Sequence, residues 1–186
     1  SGGKFMIIGE RIYLRAFELE DYKTLTKWRN DRDITKSLGG NYFFVSSERE
    51  KKWIENSIFN DEHNLRLAIC LNENNEYIGN VNLTNLDWIN RNAEFSIFIG
   101  EKKYWGKGYA TESTKLILDF GFSQRNLYRI YLTVLEDNKS AIHIYNKLGF
   151  KTEGVLRKSL FKDNKYHNLI IMSILKEEFE NCNYEL

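Results

Sequence analysis

Proline is absent from the 186 residues of this chain. Every reversal of direction must therefore be made by Gly, Asn, Asp or Ser, the other residue types that suit tight turns. Cysteine is scarce. Cys70 and Cys182 are too few for a disulfide framework, and neither sits in a cluster with metal-ligand spacing, so no metal is expected. Cys70 lies inside an apolar run, where a buried free thiol is the commoner role. No apolar run approaches the ~18 residues needed to span a bilayer, and no signal-peptide pattern opens the chain. No membrane partner is expected, and a soluble cytoplasmic protein is the default. An excess of one charge is lacking too: 27 basic and 26 acidic residues leave a net charge of +1. That balance argues against a dedicated nucleic-acid binder but leaves room for a local basic site.

What is present suffices for a core, with 42% hydrophobic and 15% aromatic residues in a chain of single-domain length. Ser1 to Gly3 read as a cloning remnant, leaving residues 4–186 as one domain. Ile12, Leu14 and Ala16 alternate with Arg11, Tyr13 and Arg15, predicting a strand over Arg11 to Phe17. Tyr22, Leu25, Trp28 and Arg29 recur at helical spacing within residues 18–31, before "LGGNYF" breaks the pattern. Residues 46–59 predict a second helix, entered through serines followed by acids, with Trp53, Ile54 and Ile58 on one face. Residues 65–71 and 77–86 predict a hairpin around "NENNE", and 92–100 predict a third strand. A glycine loop, a helix (Tyr109 to Phe122), a strand (129–135) and a helix (about Ser140 to Leu148) follow. Two strands around "KDNK" close the chain, and the whole order predicts an α+β domain with a mixed sheet.

Between the strand ending near Ile99 and the helix beginning near Tyr109 lies "EKKYWGKGYATES". A strand leading through glycines into a helix makes an anion site, because the first amides of the helix have no intrahelical partner and its dipole favours negative charge there. Gly106 and Gly108 let backbone approach a phosphate, Lys102, Lys103 and Lys107 add positive charge, and Thr111 offers a hydroxyl in the first turn. A β–α loop that needs glycine only to turn explains the same residues. The spacing is neither G-x-x-x-x-G-K-[ST] nor G-x-G-x-x-G, which disfavours nucleoside triphosphates and NAD.

A second stretch, "EDNKSAIHIYNKLGFKTEG" from Glu136 to Gly154, places Asn138 and Ser140 at a helix start and Tyr145 near its middle. With "GERIYLRAFELED" and "NAEFSIFIGEKKYWGKGYATES", it makes the chain resemble the GCN5-related N-acetyltransferases (GNAT) from Ile8 to about Leu175. The likeness is to the subgroup similar to ribosomal-protein N-terminal acetyltransferases and bacterial spermidine acetyltransferase. It implies the GNAT fold: a central mixed, mostly antiparallel sheet with helices on both faces and a splayed pair of central strands. It also implies acetyl-CoA as co-substrate. The family loop Q/R-x-x-G-x-G/A falls on Trp105, Gly106, Lys107, Gly108, Tyr109 and Ala110, with Trp105 in place of Gln or Arg. Backbone amides through that loop to Thr111 are implied to hold the pyrophosphate. Phe95, Ser96 and Ile97 are implied to pair with the pantetheine arm and polarise the thioester carbonyl. Asn138 is implied to bond the same arm, though helix capping explains it too. Ser140 is a further candidate contact.

An amine of lysine type has a pKa near 10.4, so about one molecule in 2,500 is neutral at pH 7, a cost of about 4.6 kcal/mol. Glu94 is the candidate base, being the carboxylate of "NAEFSIFIG", where alternation sets it with Ser96 and Phe98 and opposite Phe95, Ile97 and Ile99. A solvent-facing Glu94, or one paired with Arg91 or Arg129, is the plain alternative. Tyr145 falls on the family position whose hydroxyl serves the departing thiolate; a core tyrosine sharing a face with Ile142 and Leu148 is the other reading. His63, His143 and His167 receive no role. Trp28, Tyr42 and Trp88 are candidates for the acceptor wall, or are ordinary core and rim.

The acidic pair that the resemblance associates with spermidine acetylation is replaced by "GGNYFF" at residues 39–44, which weakens a polyamine reading. A peptide N-terminus, an amino sugar or another small amine remains, with a lean towards a small polar amine. Homo-oligomerisation is left open. A non-catalytic acyl-CoA-binding or sensing domain on the same fold is the alternative of another class.

Overall fold

The computed structural model describes residues 6–182, so the expected remnant at Ser1 to Gly3 lies outside the described residues. Fourteen elements follow one another as β1 (Ile7–Ile8), β2 (Ile12–Ala16), α1 (Tyr22–Arg29), α2 (Arg32–Lys36), α3 (Ser47–Phe59), β3 (Leu65–Leu71), β4 (Tyr77–Asp87), β5 (Asn92–Ile99), α4 (Tyr109–Gln124), β6 (Arg129–Leu135), α5 (Lys139–Lys147), β7 (Lys151–Lys162), β8 (Lys165–Leu175) and α6 (Lys176–Asn181). The strands form a single eight-stranded sheet in the order β1-β2-β3-β4-β5-β6-β8-β7.

The helix expected over residues 18–31 spans Tyr22–Arg29, and a short helix that was not expected follows it. Asp31 is extended (φ −86°, ψ 116°), and its carboxylate accepts from the amides of Asp33 and Ile34 to start α2 afresh. An aspartate able to cap its own next turn competes with helix continuation. The turns without proline are made largely by asparagine. Asn75, Asn126 and Asn164 all have positive φ, as does Asn85 at an irregularity within β4, and Asp163 with Asn164 closes the β7–β8 hairpin in left-handed conformation.

Alternation along the strands builds a core on each face of the sheet, with a smaller cluster of Leu135, Leu160 and Leu169 beside them. Ile12, Leu14, Phe95 and Ile99 pack with Ile117 and Leu118 of α4 on one face. Tyr13, Ala68 and Cys70 pack with Leu25 and Trp28 of α1 and Ile54 of α3 on the other, where Phe98 also lies. Period-2 side chains thus give a sheet covered on both sides, as the α+β reading expects.

All strand pairs are antiparallel except β5–β6. That parallel pairing covers only Asn92↔Arg129, Ala93↔Ile130 and Glu94↔Tyr131. Beyond it β5 stays bound to β4 through Ile99, and β6 stays bound to β8 through Leu135. The inner edges of the two strands separate, and this splay opens the site.

Candidate active site

The loop after β5 leads through two glycines into the N-terminus of α4. Gly106 (φ +69°) and Gly108 (φ +85°) are left-handed, a conformation costly for a residue with a Cβ. Gly108 is the N-cap of α4, and the first intrahelical bond runs from Glu112 N to Gly108 O at 3.0 Å. The amides of Tyr109, Ala110 and Thr111 therefore lie before the helical ladder begins, facing a cleft of about 440 Å³ that these residues line.

Neighbouring side chains brace the loop. Trp105 donates from Nε1 to the Ile99 carbonyl at 2.8 Å, tying the loop to the end of β5. Arg11 at the mouth of β2 donates to the Lys107 carbonyl at 2.8 Å and to Glu112 Oε2 at 3.0 Å, with its guanidinium 4.4 Å from the Tyr109 ring centre. Two of the three loop lysines expected to supply charge are engaged elsewhere. Lys102 pairs with Asp31 and Asp33, and Lys103 with Glu76. Lys107 makes no ion pair among the described residues, and its ammonium lies 5.9 Å from the Tyr104 ring.

Across the cleft stands α5. Asn138 is its N-cap, accepting from Ala141 N at 3.2 Å and donating from Nδ2 to the Ser37 carbonyl at 3.4 Å. Ser140 donates to Asn138 Oδ1 at 3.2 Å. Asn138 therefore caps the helix and also holds the end of α2 over the splay. Lys162 secures that end from the other side. Buried, it donates to the carbonyls of Thr35 (2.6 Å) and Leu38 (2.9 Å), and burial lowers its pKa.

Tyr145 sits where the cleft meets a second cavity of about 370 Å³ under the splayed strands, and it lines both. Its ring packs edge-on against Phe95 and tilted against Phe150. The hydroxyl has no hydrogen-bond partner among the described residues, and burial pushes its pKa up to about 12. It is a protonated donor at neutral pH.

The second cavity is polar on its sheet side. Arg66 of β3, Asn82 of β4 and Ser96 of β5 stand in one cross-strand row, and Asn82 Nδ2 donates to Ser96 Oγ at 3.1 Å. Glu94, two residues along β5, is the one carboxylate among the lining residues. It accepts from Asn85 Nδ2 at 3.0 Å. The alternative partners lie elsewhere: Arg91 donates to Asn126, and Arg129 pairs with Glu153. Arg29 of α1, Trp53 of α3 and Arg66 complete the wall, with both guanidinium carbons over the Trp53 ring at 4.8 and 5.2 Å.

Of the expected site residues, Ile97, Trp105, Gly106, Gly108, Tyr109, Ala110, Thr111, Asn138, Ser140 and Tyr145 line the cleft, while Glu94, Phe95 and Ser96 line the second cavity. Lys107 lines neither cavity, and its carbonyl accepts from Arg11. Trp28, Tyr42 and Trp88, left open between acceptor wall and ordinary core or rim, line neither cavity. Trp28 is a core residue, 3% exposed, with Nε1 donating to Glu101 at 3.0 Å. Tyr42 donates to Asp163 Oδ2 at 3.0 Å, clamping its loop to the β7–β8 turn. Trp88 lies half exposed in the β4–β5 turn, beyond the paired end of β5, and lines neither cavity. Sequence reasoning missed Arg29, Trp53 and Arg66 as wall residues. Helical spacing grouped Arg29 with the α1 face and Trp53 with the α3 face, but nothing in it showed that these faces meet beneath β3 and β5.

Among the described residues no helix is long and apolar enough to cross a membrane, and no group of three or more His, Cys, Asp or Glu is placed to hold a metal.

Comparison with known proteins agrees with this geometry. Residues 11–151 match the model of the Acetyltransferase (GNAT) domain family. The chain is 34% identical to the spermidine N(1)-acetyltransferase of Escherichia coli K12 over 171 residues, covering 90% of this chain and 88% of that one. It is 31% identical to a putative ribosomal N-acetyltransferase (YdaF) of Bacillus subtilis over 102 residues, 55% of each chain. The crystal structure of spermidine N-acetyltransferase from Vibrio cholerae in complex with CoA and spermine superposes with a TM-score of 0.85 at 29% identity, covering 91% of this chain and 98% of that one. The chain belongs to the GNAT acetyltransferase family and is an N-acetyltransferase that uses acetyl-CoA as co-substrate.

Proposed function

We propose that the chain acetylates a small primary amine by direct transfer, with both substrates bound together. One observation carries the reading: Tyr145, Asn138 and the Ile97–Phe98 segment line both cavities, so a donor in the cleft and an acceptor in the second cavity would meet at Tyr145. The residues fit acetyl-CoA. The free amides at the start of α4 suit its pyrophosphate, and the inner edge of β5, unpaired past Glu94, offers backbone groups to its pantetheine arm. When bound, it supplies an activated acetyl group on a thiol leaving group.

Glu94 accepts the proton of the incoming ammonium, directly or through a water, because the free amine is the nucleophile. The amine nitrogen forms its bond to the carbonyl carbon as the carbon–sulfur bond breaks, and the remaining surplus proton on nitrogen passes to the released thiolate, giving amide and free thiol. The hydroxyl of Tyr145, with a pKa of about 12, is a weaker acid than a thiol of pKa ~8.5. Complete proton transfer to the thiolate would be uphill by about 4.8 kcal/mol, so Tyr145 acts by hydrogen bonding to the developing charge. The relatives named for spermidine act on a small amine, and a cavity of about 370 Å³ suits a compact one. Thiol release with acetyl-CoA across a panel of amines and peptide N-termini tests the proposal. Turnover confined to peptides would refute the small-molecule acceptor.

A further inference from the structure

The acceptor cavity presents two arginines and a single carboxylate, Glu94, among its lining residues. Arg29 Nε lies 3.0 Å from Glu50 Oε1, and Arg66 Nε lies 3.0 Å from Asp61 Oδ2. Neither of those carboxylates lines the cavity. Glu50 is 2% exposed, and desolvation raises its pKa against the pull of Arg29. Arg66 donates from Nε to Asp61, whereas Arg29 and Glu50 lie within ion-pair distance without a hydrogen bond, and the terminal nitrogens of both arginines have no hydrogen-bond partner among the described residues. Contact with the Trp53 ring restrains both planes. Planar forks fixed in this way suit phosphate or carboxylate oxygens, which they bind through paired N–H donors.

From this arrangement we infer that the acceptor is a compact polar amine that also carries an anionic group, phosphate or carboxylate, held by Arg29 and Arg66. The inference rests on the transferase reading above. Arg66 stands two strands from β5, about 10 Å by strand spacing, and the Asn82–Ser96 pair occupies the floor between them. Glu94 and Tyr145 receive the amine on the β5 and α5 side, the asparagine and serine groups meet a polar body, and the guanidinium pair meets the anion. A polyamine would bring its second ammonium towards two fixed cations, with no further carboxylate lining the wall. The charge pattern therefore selects against the polycation for which several relatives are named.

Matched acceptors test this: glucosamine against glucosamine 6-phosphate, 4-aminobutanol against 4-aminobutyrate, and spermidine, each measured by acetyl-CoA-dependent thiol release. The phosphate pair and the carboxylate pair separate the two sources of the anion. At least one anionic member is expected to exceed its neutral partner tenfold or more in kcat/KM, with spermidine below both. Arg66→Gln should lower that ratio at least tenfold, mainly through KM, and Arg66→Lys should restore part of it. Equal turnover within each pair, spermidine as the fastest acceptor, or an unchanged ratio in Arg66→Gln would overturn the inference while leaving the transferase reading intact. Silence towards every amine would count against the transferase reading instead. Calorimetry of the same pairs on the CoA-loaded protein would then decide the present point, equal affinities overturning it.

Discussion

Replacing Tyr145 with phenylalanine removes one oxygen and leaves the packing in place. The ring keeps its contacts with Phe95 and Phe150, and no protein hydrogen bond is broken, because the hydroxyl makes none among the described residues. In the proposed mechanism its partner is the sulfur of the departing thiolate, so the loss should fall on the transition state alone. A hydrogen bond to a charged group contributes about 1.5–3 kcal/mol, which corresponds to a fall in kcat of roughly 10- to 150-fold. Single-turnover thiol release under saturating acetyl-CoA reads that fall, and calorimetry reads the donor's affinity. The expected pattern is a reduced kcat, an acetyl-CoA Kd within about twofold of wild type, and an unaltered melting curve. Unchanged turnover would refute the role of Tyr145. A loss of rate matched by an equal loss of donor affinity would show a positional role in the cleft.

Gly108→Ala places a Cβ at φ +85° and 3.1 Å from Arg11 Nη2; left-handed backbone costs about 1–2 kcal/mol, and calorimetry should show acetyl-CoA binding at least tenfold weaker. Asn138→Ala removes the N-cap of α5, so stability should fall by about 1 kcal/mol and the Tm by roughly 2–4 °C in a scan. Glu94→Gln should slow acetylation of an amine of pKa ~10 by about 100-fold or more, yet cost much less with an amine of pKa ~7, which needs little help losing its proton. A loss independent of amine pKa would remove Glu94 as the base. The Tyr145 phenol ionises near 10 when unfolded and holds its proton to about 12 when folded. The native state then binds the extra proton between those values, so stability drops as pH rises through that window, by up to about 2.7 kcal/mol. Urea melts at pH 9 and 11 should show a smaller drop in Tyr145→Phe than in wild type.

The parts of the site that sequence made legible are those encoded within one short segment. Gly106 and Gly108 announce a left-handed turn because a Cβ is costly there, and Asn138 announces a cap because its side chain reaches its own helix. The strands of the central meander were legible for the same local reason, as period-2 alternation. What could not be read depends on which elements meet. Lys102 looked available to a phosphate until folding set it beside Asp31 and Asp33, and whether Trp28 was wall or core depended on how α1 closes on the sheet. The Arg29–Trp53–Arg66 stack joins α1, α3 and β3, so no single window of sequence contains it. The break at Asp31 turned on a competition between helix continuation and a carboxylate cap, which propensity alone does not decide.

The central claim is that an acceptor amine and acetyl-CoA occupy adjoining cavities and react directly at Tyr145. Initial-rate kinetics of thiol release, with acetyl-CoA and the best acceptor varied together, tests it most directly. Intersecting reciprocal plots, with acetylated amine formed in step with free thiol, are the result this account predicts. Parallel plots with a trapped acetyl-enzyme, or tight acetyl-CoA binding without thiol release towards any amine, would contradict it.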